Sequence, residues 1–281
     1  MKKLICFLMA VIFALSLAAC GGGSSGGGFG LGSNKIRFEE EISQSEISGV
    51  LSTMDTMDDI CESAPQQSQN GAECTYEMVK LIAEGMGVSS SEISDIQSRK
   101  DSGSVSASSA VQEQVVSTYR TVELLLLIAE EMDEDGEYAS EISAIESRFY
   151  SVENNCESAP QQVVNGSYRI VELLEVIAKI ADTDDEYGDE IADIMSTFSS
   201  MDTSSKSAPQ QAVNGAYRAV EMTLLIAEIV DYDDEFGSDI SAVENKLWSQ
   251  NDNCESAPQQ NANGVYRMTE AFGVLAEVLN S

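Results

Sequence analysis

The stretch SAPQQVVNGSYRIVELLEVIAKIA, residues 158–181, joins a helix-start signal to a helical apolar pattern. Ser158 and Gln161 form the Ser-x-x-Gln pattern of a capping box, in which the serine hydroxyl accepts a backbone N–H and the glutamine side chain reaches back. Pro160 suits a first helical turn, where its missing N–H removes no hydrogen bond. Apolar residues then recur every three or four positions, which predicts a helix of about 23 residues.

This stretch recurs in phase along the chain. The alanine of the SAPQQ motif, called the motif alanine below, lies at residues 64, 110, 159, 208 and 257, and the last three intervals are 49 residues each. A shorter segment with helical spacing, such as EIADIMSTF at 190–198, precedes each copy. A fixed period near 50 residues indicates a repeat architecture.

We therefore predict an all-α domain over residues 36–281, built from five tandem helical hairpins. The hairpins are about 49 residues long and begin near residues 46, 92, 141, 190 and 239. Hairpins with an apolar stripe bury it by stacking on their neighbours, so the expected form is an α-solenoid. A closed α/α toroid is the alternative.

An Asn-Gly pair lies inside the predicted long helix, as at Asn165-Gly166. Alone, Asn-Gly indicates a turn. Here it falls within the apolar period, and only Gly or Ser occupies the second position in the five copies. This restriction predicts that neighbouring long helices approach closely there.

The N-terminus carries a secretion signal. Lys2 and Lys3 precede the apolar run LICFLMAVIFALSLAA, which ends at Cys20. This pattern resembles the lipobox of bacterial lipoproteins. The resemblance implies a signal peptide over residues 1–19, acylation of Cys20 and, because Gly21 follows, the outer membrane of a Gram-negative cell. An ordinary secretory signal or an uncleaved anchor is the alternative.

A linker follows this signal. Residues 20–35 are rich in Gly and Ser, which is the composition of a flexible chain. We interpret them as a tether between the lipid on Cys20 and the helical domain.

The composition excludes several classes of chemistry. The chain contains no histidine, which excludes Ser-His-Asp and Cys-His catalysis and the usual zinc and haem ligands, but not paired-carboxylate chemistry. Its formal net charge of −33 opposes the binding of nucleic acid and anionic lipid headgroups. Cations and basic partners are favoured, although solubility alone also explains such a charge.

A polar stripe follows one face of the long helix, where Gln, Asn, Arg and Glu lie three or four residues apart. Stacked repeats would align these groups into a ladder able to bind a glycan or an extended peptide. The alternative is an internal role, with Arg–Glu pairs at i,i+3 and hydrogen bonds between neighbouring long helices. The candidate ligand-binding residues are Gln162, Asn165, Arg169, Glu172, Gln211, Asn214, Arg218, Glu221, Gln260, Asn263, Arg267 and Glu270.

Acidic loops connect the second, third and fourth long helices to the next short helix, whereas the loop after the first, GMGVSSSE, lacks this cluster. Carboxylates at loop positions 1, 3, 5 and 9 are similar to the spacing of oxygen ligands in a calcium loop, although the match to an EF-hand is incomplete. Acidic residues also suit the N-terminal dipole of the short helix. The candidate calcium ligands are Asp133, Asp135, Glu137, Glu141, Asp182, Asp184, Glu186, Glu190, Asp231, Asp233, Glu235 and Asp239.

Four cysteines follow Cys20. Cys61, Cys156 and Cys254 hold equivalent repeat positions, and Cys74 lies within a long helix. In an open solenoid these positions are farther apart than the roughly 7 Å between Cα atoms that a disulfide spans. Internal bridges are therefore not expected there, while a closed ring or a dimer leaves the pairing open.

Taken together, these features predict a lipid-anchored repeat protein of the cell envelope, with no enzyme activity and no cofactor beyond a possible calcium ion. Its expected role is that of a binding or scaffolding module with a protein or glycan partner. One alternative is a calcium-stabilised surface adhesion module. Another is an α/α-toroid hydrolase that uses paired carboxylates such as Glu172 and Glu221.

Overall fold

The computed structural model describes residue 36 and residues 38–60, 63–153, 158–205, 207–251 and 253–281. The predicted signal peptide, Cys20, the tether, Cys61 and Cys156 lie outside these described residues. Within them the chain forms ten α-helices and no strand. None of these helices is both long enough and apolar enough to cross a membrane.

Short and long helices alternate along the chain. The short helices are α1 (Gln44–Ile60), α3 (Ser90–Ser106), α5 (Ala139–Glu153), α7 (Gly188–Ser204) and α9 (Gly237–Asn251). The long helices are α2 (Ala64–Gly85), α4 (Ala110–Met132), α6 (Ala159–Ala181), α8 (Ala208–Val230) and α10 (Ala257–Leu279). The prediction of an all-α fold with five helical hairpins is confirmed.

Each long helix begins at its motif alanine, as predicted, with the preceding serine in an extended conformation as the N-cap. The predicted capping hydrogen bond is wrong in the four repeats that contain proline. There the serine hydroxyl donates to the glutamine side-chain oxygen instead, as in Ser158–Gln161 at 3.1 Å. In repeat 2, where Val111 replaces proline, Ser109 does accept the backbone N–H of Gln112, at 3.3 Å. The proline removes only the N–H of the second helical residue, while the N–H of the third, which Ser109 accepts, is present in every repeat. The difference lies in the serine hydroxyl, which donates to the glutamine oxygen in the repeats with proline.

The five long helices form a closed ring. Each packs against the long helix before it and the one after it, and α10 packs against α2. The stack of repeats is therefore a solenoid whose two ends meet, as in the toroid alternative. Each short helix lies against long helices and, in the described part of the chain, touches no other short helix. Grooves therefore run between successive short helices, with a long helix as their floor.

The centre of the ring is an apolar core. Residues 15, 18 and 22 positions after the motif alanine point into it, including Leu125, Leu174 and Phe272. The central cavity has a volume of about 30 Å³ and only apolar lining side chains. That volume has room for about two water molecules and is far below the roughly 300 Å³ of a small-molecule pocket, so the centre is packed rather than open. Ile36 covers it at the C-terminal ends of the long helices.

Four of the five joints between long helices share one construction, which we call the regular joint. A glycine on one helix packs against a tyrosine on the preceding helix, and an added Cβ at Gly264 would lie 2.8 Å from the Tyr217 ring. The same contact joins Gly71 of α2 to Tyr266 of α10, with a corresponding distance of 2.7 Å. The glycine slot therefore exists because helices approach closely there, as predicted. The four glycine–tyrosine pairs are Gly166–Tyr119, Gly215–Tyr168, Gly264–Tyr217 and Gly71–Tyr266.

Hydrogen bonds also close the ring. Thr75 and Thr269 join α2 to α10 through their hydroxyl groups at 2.8 Å, in a buried position. At the C-terminal ends of the long helices, the Asn280 amide donates to the Ile42 carbonyl at 2.7 Å and accepts from the Ile42 N–H at 3.0 Å. The N–H of Phe38 donates to the carbonyl of Leu279 at 3.2 Å. The segment before α1 thus fastens the first repeat to the last.

Candidate functional site

The asparagines of the polar stripe are buried between helices. Asn263 Nδ2 donates to the carbonyl of Leu247 at 3.0 Å and to the Tyr217 hydroxyl at 3.1 Å. Asn165 Nδ2 makes the equivalent bonds to Phe149 and Tyr119, at 3.3 and 3.4 Å. Each such asparagine ties its long helix to the short helix before it. Asn214 bonds the Phe198 carbonyl at 3.0 Å in the same way.

The stripe glutamines and tyrosines meet at the ends of the short helices. Gln211 Nε2 and the Tyr168 hydroxyl both donate to Asp202 Oδ1, at 3.2 and 2.5 Å. Gln260 Nε2 donates to Asn251 Oδ1 at 3.0 Å. These groups therefore bond one another across neighbouring repeats, as the internal alternative required.

The arginines and glutamates of the stripe form ion pairs three residues apart. The nitrogen–oxygen distances are 2.9 Å for Arg169–Glu172, 2.7 Å for Arg218–Glu221 and 2.9 Å for Arg267–Glu270. On an α-helix, a position two residues from a core position lies about 200° around the axis. The glutamate precedes the first core position by two residues, so it faces away from the centre and towards the outer grooves. The hydrolase alternative needs two carboxylates flanking a cavity, and no carboxylate lines the described central cavity.

Most of these glutamates receive a second cation from the short helix of their own repeat. Arg99 lies 2.5 Å from Glu123, Arg148 lies 3.1 Å from Glu172, and Lys246 lies 3.3 Å from Glu270. All three cations stand 11 residues before the motif alanine. The sequence did not predict this second contact, because it joins two different helices. The regular position of the three cations, 11 residues before the motif alanine, is nevertheless visible in the sequence.

Glu221 differs from the other stripe glutamates. In repeat 4 the equivalent short-helix position holds Thr197, so Arg218 is the one cation within 4 Å of Glu221 in the described structure. Burial raises the pKa of Glu221, Arg218 opposes this, and Glu244 adds to it.

Three outer grooves stand out among the described residues. The first, between α1 and α2, has a volume of about 540 Å³ and contains Glu46, Glu73 and Glu77. The second, between α3 and α5, has a volume of about 390 Å³ and contains Arg99, Glu123 and Tyr150. The third, between α7 and α9, has a volume of about 380 Å³. We call it the repeat-4 groove, and its polar lining consists of Glu190, Asp193, Thr197, Arg218, Glu221, Glu228 and Glu244. All three grooves are acidic, which suits cationic partners.

The acidic loops use their leading aspartates to hold the backbone. Asp182 accepts from the N–H of Glu186 at 2.9 Å and from that of Tyr187 at 3.0 Å. Asp231 makes the same two bonds to Glu235 and Phe236, at 3.1 and 2.8 Å. These bonds explain an aspartate at the C-terminal end of a long helix, where the helix dipole disfavours a negative charge.

The candidate calcium ligands do not converge. Asp133 accepts from Tyr138 N–H at 3.1 Å, Asp135 accepts from Glu137 N–H at 3.2 Å, and Glu141 pairs with Lys179 at 3.2 Å. Among the described residues, no three carboxylate or cysteine side chains are grouped to hold a metal ion. Calcium binding by these loops stays a prediction without geometric support.

The two described cysteines, Cys74 and Cys254, are free thiols. Cys74 is buried where the other repeats have the stripe arginine. Burial, with Glu73 and Glu77 nearby, raises the pKa of Cys74 to about 12. It is therefore a protonated packing residue at neutral pH rather than a nucleophile.

Compared with protein-family models, with curated proteins and with solved structures, the chain matches none. A functional assignment therefore depends on the residues of this chain alone.

Proposed function

We propose that this protein is a lipid-anchored module of the cell envelope that binds or scaffolds a partner through the outer surface of a rigid helical ring. One observation carries the proposal. The centre of the ring is filled by apolar side chains, whereas the paired charges of repeats 2 and 4 line outer grooves. Within the described residues, a ring of this kind offers a partner its outer surface, and its central cavity of about 30 Å³ is too small for a ligand.

The position of the N-terminal segment supports a tethered arrangement. The chain joins the ring through Ile36 and Phe38 at the C-terminal ends of the long helices, where the acidic loops also lie.

Lipid anchoring is tested by the mass of the mature N-terminus. In the native host, we expect a fragment that begins at Cys20 and carries acyl chains, and a protein that sediments with membranes. The variant Cys20→Ser should appear unacylated and in the soluble fraction. A wild-type protein that is already soluble and unacylated would contradict the anchor.

Partner binding is tested by photocrosslinking in the same host. A photoreactive amino acid at Tyr150, which is partly exposed in the groove beside α5, should form a discrete adduct with a protein or glycan. The same amino acid at Glu134, in an acidic loop, is the matched control and should form none. Equal labelling at both positions, or none at any groove position, would refute a specific outer binding surface.

A further inference from the structure

Glu221 of repeat 4 has one cationic partner fewer than the equivalent glutamates. Of the five glutamates 13 residues after a motif alanine, Glu77, Glu123 and Glu221 line outer grooves, and all but Glu221 lie within 4 Å of two cationic side chains in the described structure. Threonine occupies the position 11 residues before the motif alanine in repeats 1 and 4. Even Glu77 of the irregular first repeat has Lys80 at 3.8 Å and Lys100 at 3.7 Å. Glu221 has only Arg218 among the described residues.

The sister repeats show where the missing cation belongs. Arg99, Arg148 and Lys246 each reach across from the short helix to the stripe glutamate of their repeat. Thr197 holds this position in repeat 4, and its side chain is neither charged nor long enough to replace them. The repeat-4 groove of about 380 Å³ lies in front of Glu221.

The walls of the groove suit an organic cation. Five carboxylates and one arginine line it, so its local charge is negative. Ile194 and Leu225 supply apolar surface for a methylene chain. The Trp248 ring centroid lies 5.8 Å from the Arg218 guanidinium carbon, and the Trp248 side chain is 39% exposed. Because Arg218 lies over the Trp248 ring and Trp248 is not among the residues that line the groove, this ring is a neighbouring reporter of the site.

We propose that the repeat-4 groove binds one alkylammonium or guanidinium group, held on Glu221 as Arg99, Arg148 and Lys246 are held on the glutamates of their own repeats. The acidic lining alone does not carry this proposal. The second and independent observation is the same cation–glutamate contact, made by the chain itself in three sister repeats. The inference rests on the proposed binding function and names the chemistry of the bound group.

The experiment uses the intrinsic fluorescence of Trp248, which is the single tryptophan of the chain and lies beside the groove. The probes are cadaverine, as a free amine, and a lysine-containing tripeptide with blocked ends, as a protein side chain. We expect a saturable change in Trp248 emission with both, and the tighter probe identifies the source of the cation. Magnesium chloride at equal ionic strength is the control for screening and should give no saturable change.

Two pairs of variants locate the site. Thr197→Arg places a guanidinium group where Arg148 has one, so it should weaken cadaverine binding about tenfold or more and raise the thermal midpoint. Thr197→Gln, of similar length and no charge, should keep the binding. Glu221→Gln should also weaken binding about tenfold, whereas Glu134→Gln in an acidic loop should not change it.

The proposal is overturned if neither probe gives a saturable signal, or if Thr197→Arg binds cadaverine as tightly as the wild type while folding normally. Those results would leave the general binding function intact as long as the crosslinker at Tyr150 still captures a partner. Loss of that adduct together with a positive Trp248 titration would instead refute the proposed partner surface and keep the cation site.

Discussion

The joint between repeats 1 and 2 is made differently from the four regular joints. Where the regular joint has tyrosine and glycine, repeat 1 has Glu73 and repeat 2 has Ser117. Beside them, Lys100 fills the slot that Phe149 and Phe198 occupy in repeats 3 and 4. Lys100 is only 5% exposed, and its ammonium group lies 3.0 Å from Glu73 and 5.0 Å from the Tyr76 ring centroid.

The difference shows that the glycine depends on the tyrosine. The one repeat without glycine follows the one repeat without tyrosine, so each glycine serves a tyrosine on the preceding helix. It also shows that a buried lysine is tolerated between two long helices, in what we call the charged joint, when its ammonium group is paired with a carboxylate, as Lys100 is with Glu73. The predictions below test these two statements, beginning with the largest expected effect.

Gly215→Val should be the most damaging change at a regular joint. A Cβ there would lie 2.7 Å from Ser167 Cβ and 3.3 Å from the Ser167 carbonyl carbon, so two backbones must separate. We expect a loss of about 3 kcal/mol in the free energy of unfolding, measured in urea. Ser117→Val at the charged joint should cost clearly less, because a Cβ already fits there. Equal losses would refute the close approach of neighbouring long helices as the reason for the glycine.

Asn263→Ala should remove the hydrogen bonds that fasten α10 to α9 and to Tyr217. Since Asn263 is buried and both bonds are lost, a decrease of about 2 kcal/mol in unfolding free energy is expected. The matched change in repeat 2 is Val116→Ala, which breaks no hydrogen bond of this kind and should cost about 1 kcal/mol or less. The comparison fails if Val116→Ala is the more damaging of the two.

Lys100→Met tests the charged joint with the residue that repeat 1 has at the same position, Met54. Glu73 and Glu77 are each more than one-third exposed, so losing their ammonium partner should cost only about 1 kcal/mol. Because the lost term is electrostatic, the difference from wild type should shrink in 1 M NaCl. A difference that does not change with salt would identify packing rather than charge as the role of Lys100.

The smallest effect is expected in the acidic loops, at the position 26 residues after the motif alanine. The backbone has a positive φ there in repeats 2, 3 and 4, but the residue is glycine in repeat 2 and aspartate in the other two. Asp185 has a φ of 55° and Asp234 a φ of 54°, whereas repeat 2 has Gly136 with a φ of 75°. Asp185→Gly should therefore increase the free energy of unfolding by about 1 kcal/mol or less, which raises the thermal midpoint slightly. Gly136→Ala should lower it by a similar amount. A lower midpoint for Asp185→Gly, or an unchanged or higher midpoint for Gly136→Ala, would contradict backbone strain as the cause.

The helices could be predicted from the sequence because their signals are local. The motif alanine marks the first residue of each long helix, and the apolar period predicts its length. Closure of the ring is not local, since it depends on the angle between repeats. A signal for it was nevertheless present. Gly71 in the first repeat needs a tyrosine on a preceding helix, and the last repeat supplies Tyr266.

The candidate site was predicted less well. A polar stripe on a helix usually faces solvent, yet Asn263 is buried because it satisfies a short-helix carbonyl and a tyrosine hydroxyl. The leading loop aspartates suggested a metal site because residue types alone do not reveal backbone donors. Asp182 is already bonded to two of them. The exceptional position of Glu221 emerges only when the contacts of equivalent glutamates are compared.

The closure between Phe38 and Leu279 has a consequence for the order of the repeats. Entry and exit of the ring lie side by side, joined by hydrogen bonds that also include Ile42 and Asn280. A circular permutant with residue 38 linked to residue 281 and new termini at the α2–α3 connection would therefore retain all five joints. Around the ring there is then no first repeat, and the register is set by which helix presents a glycine to which tyrosine.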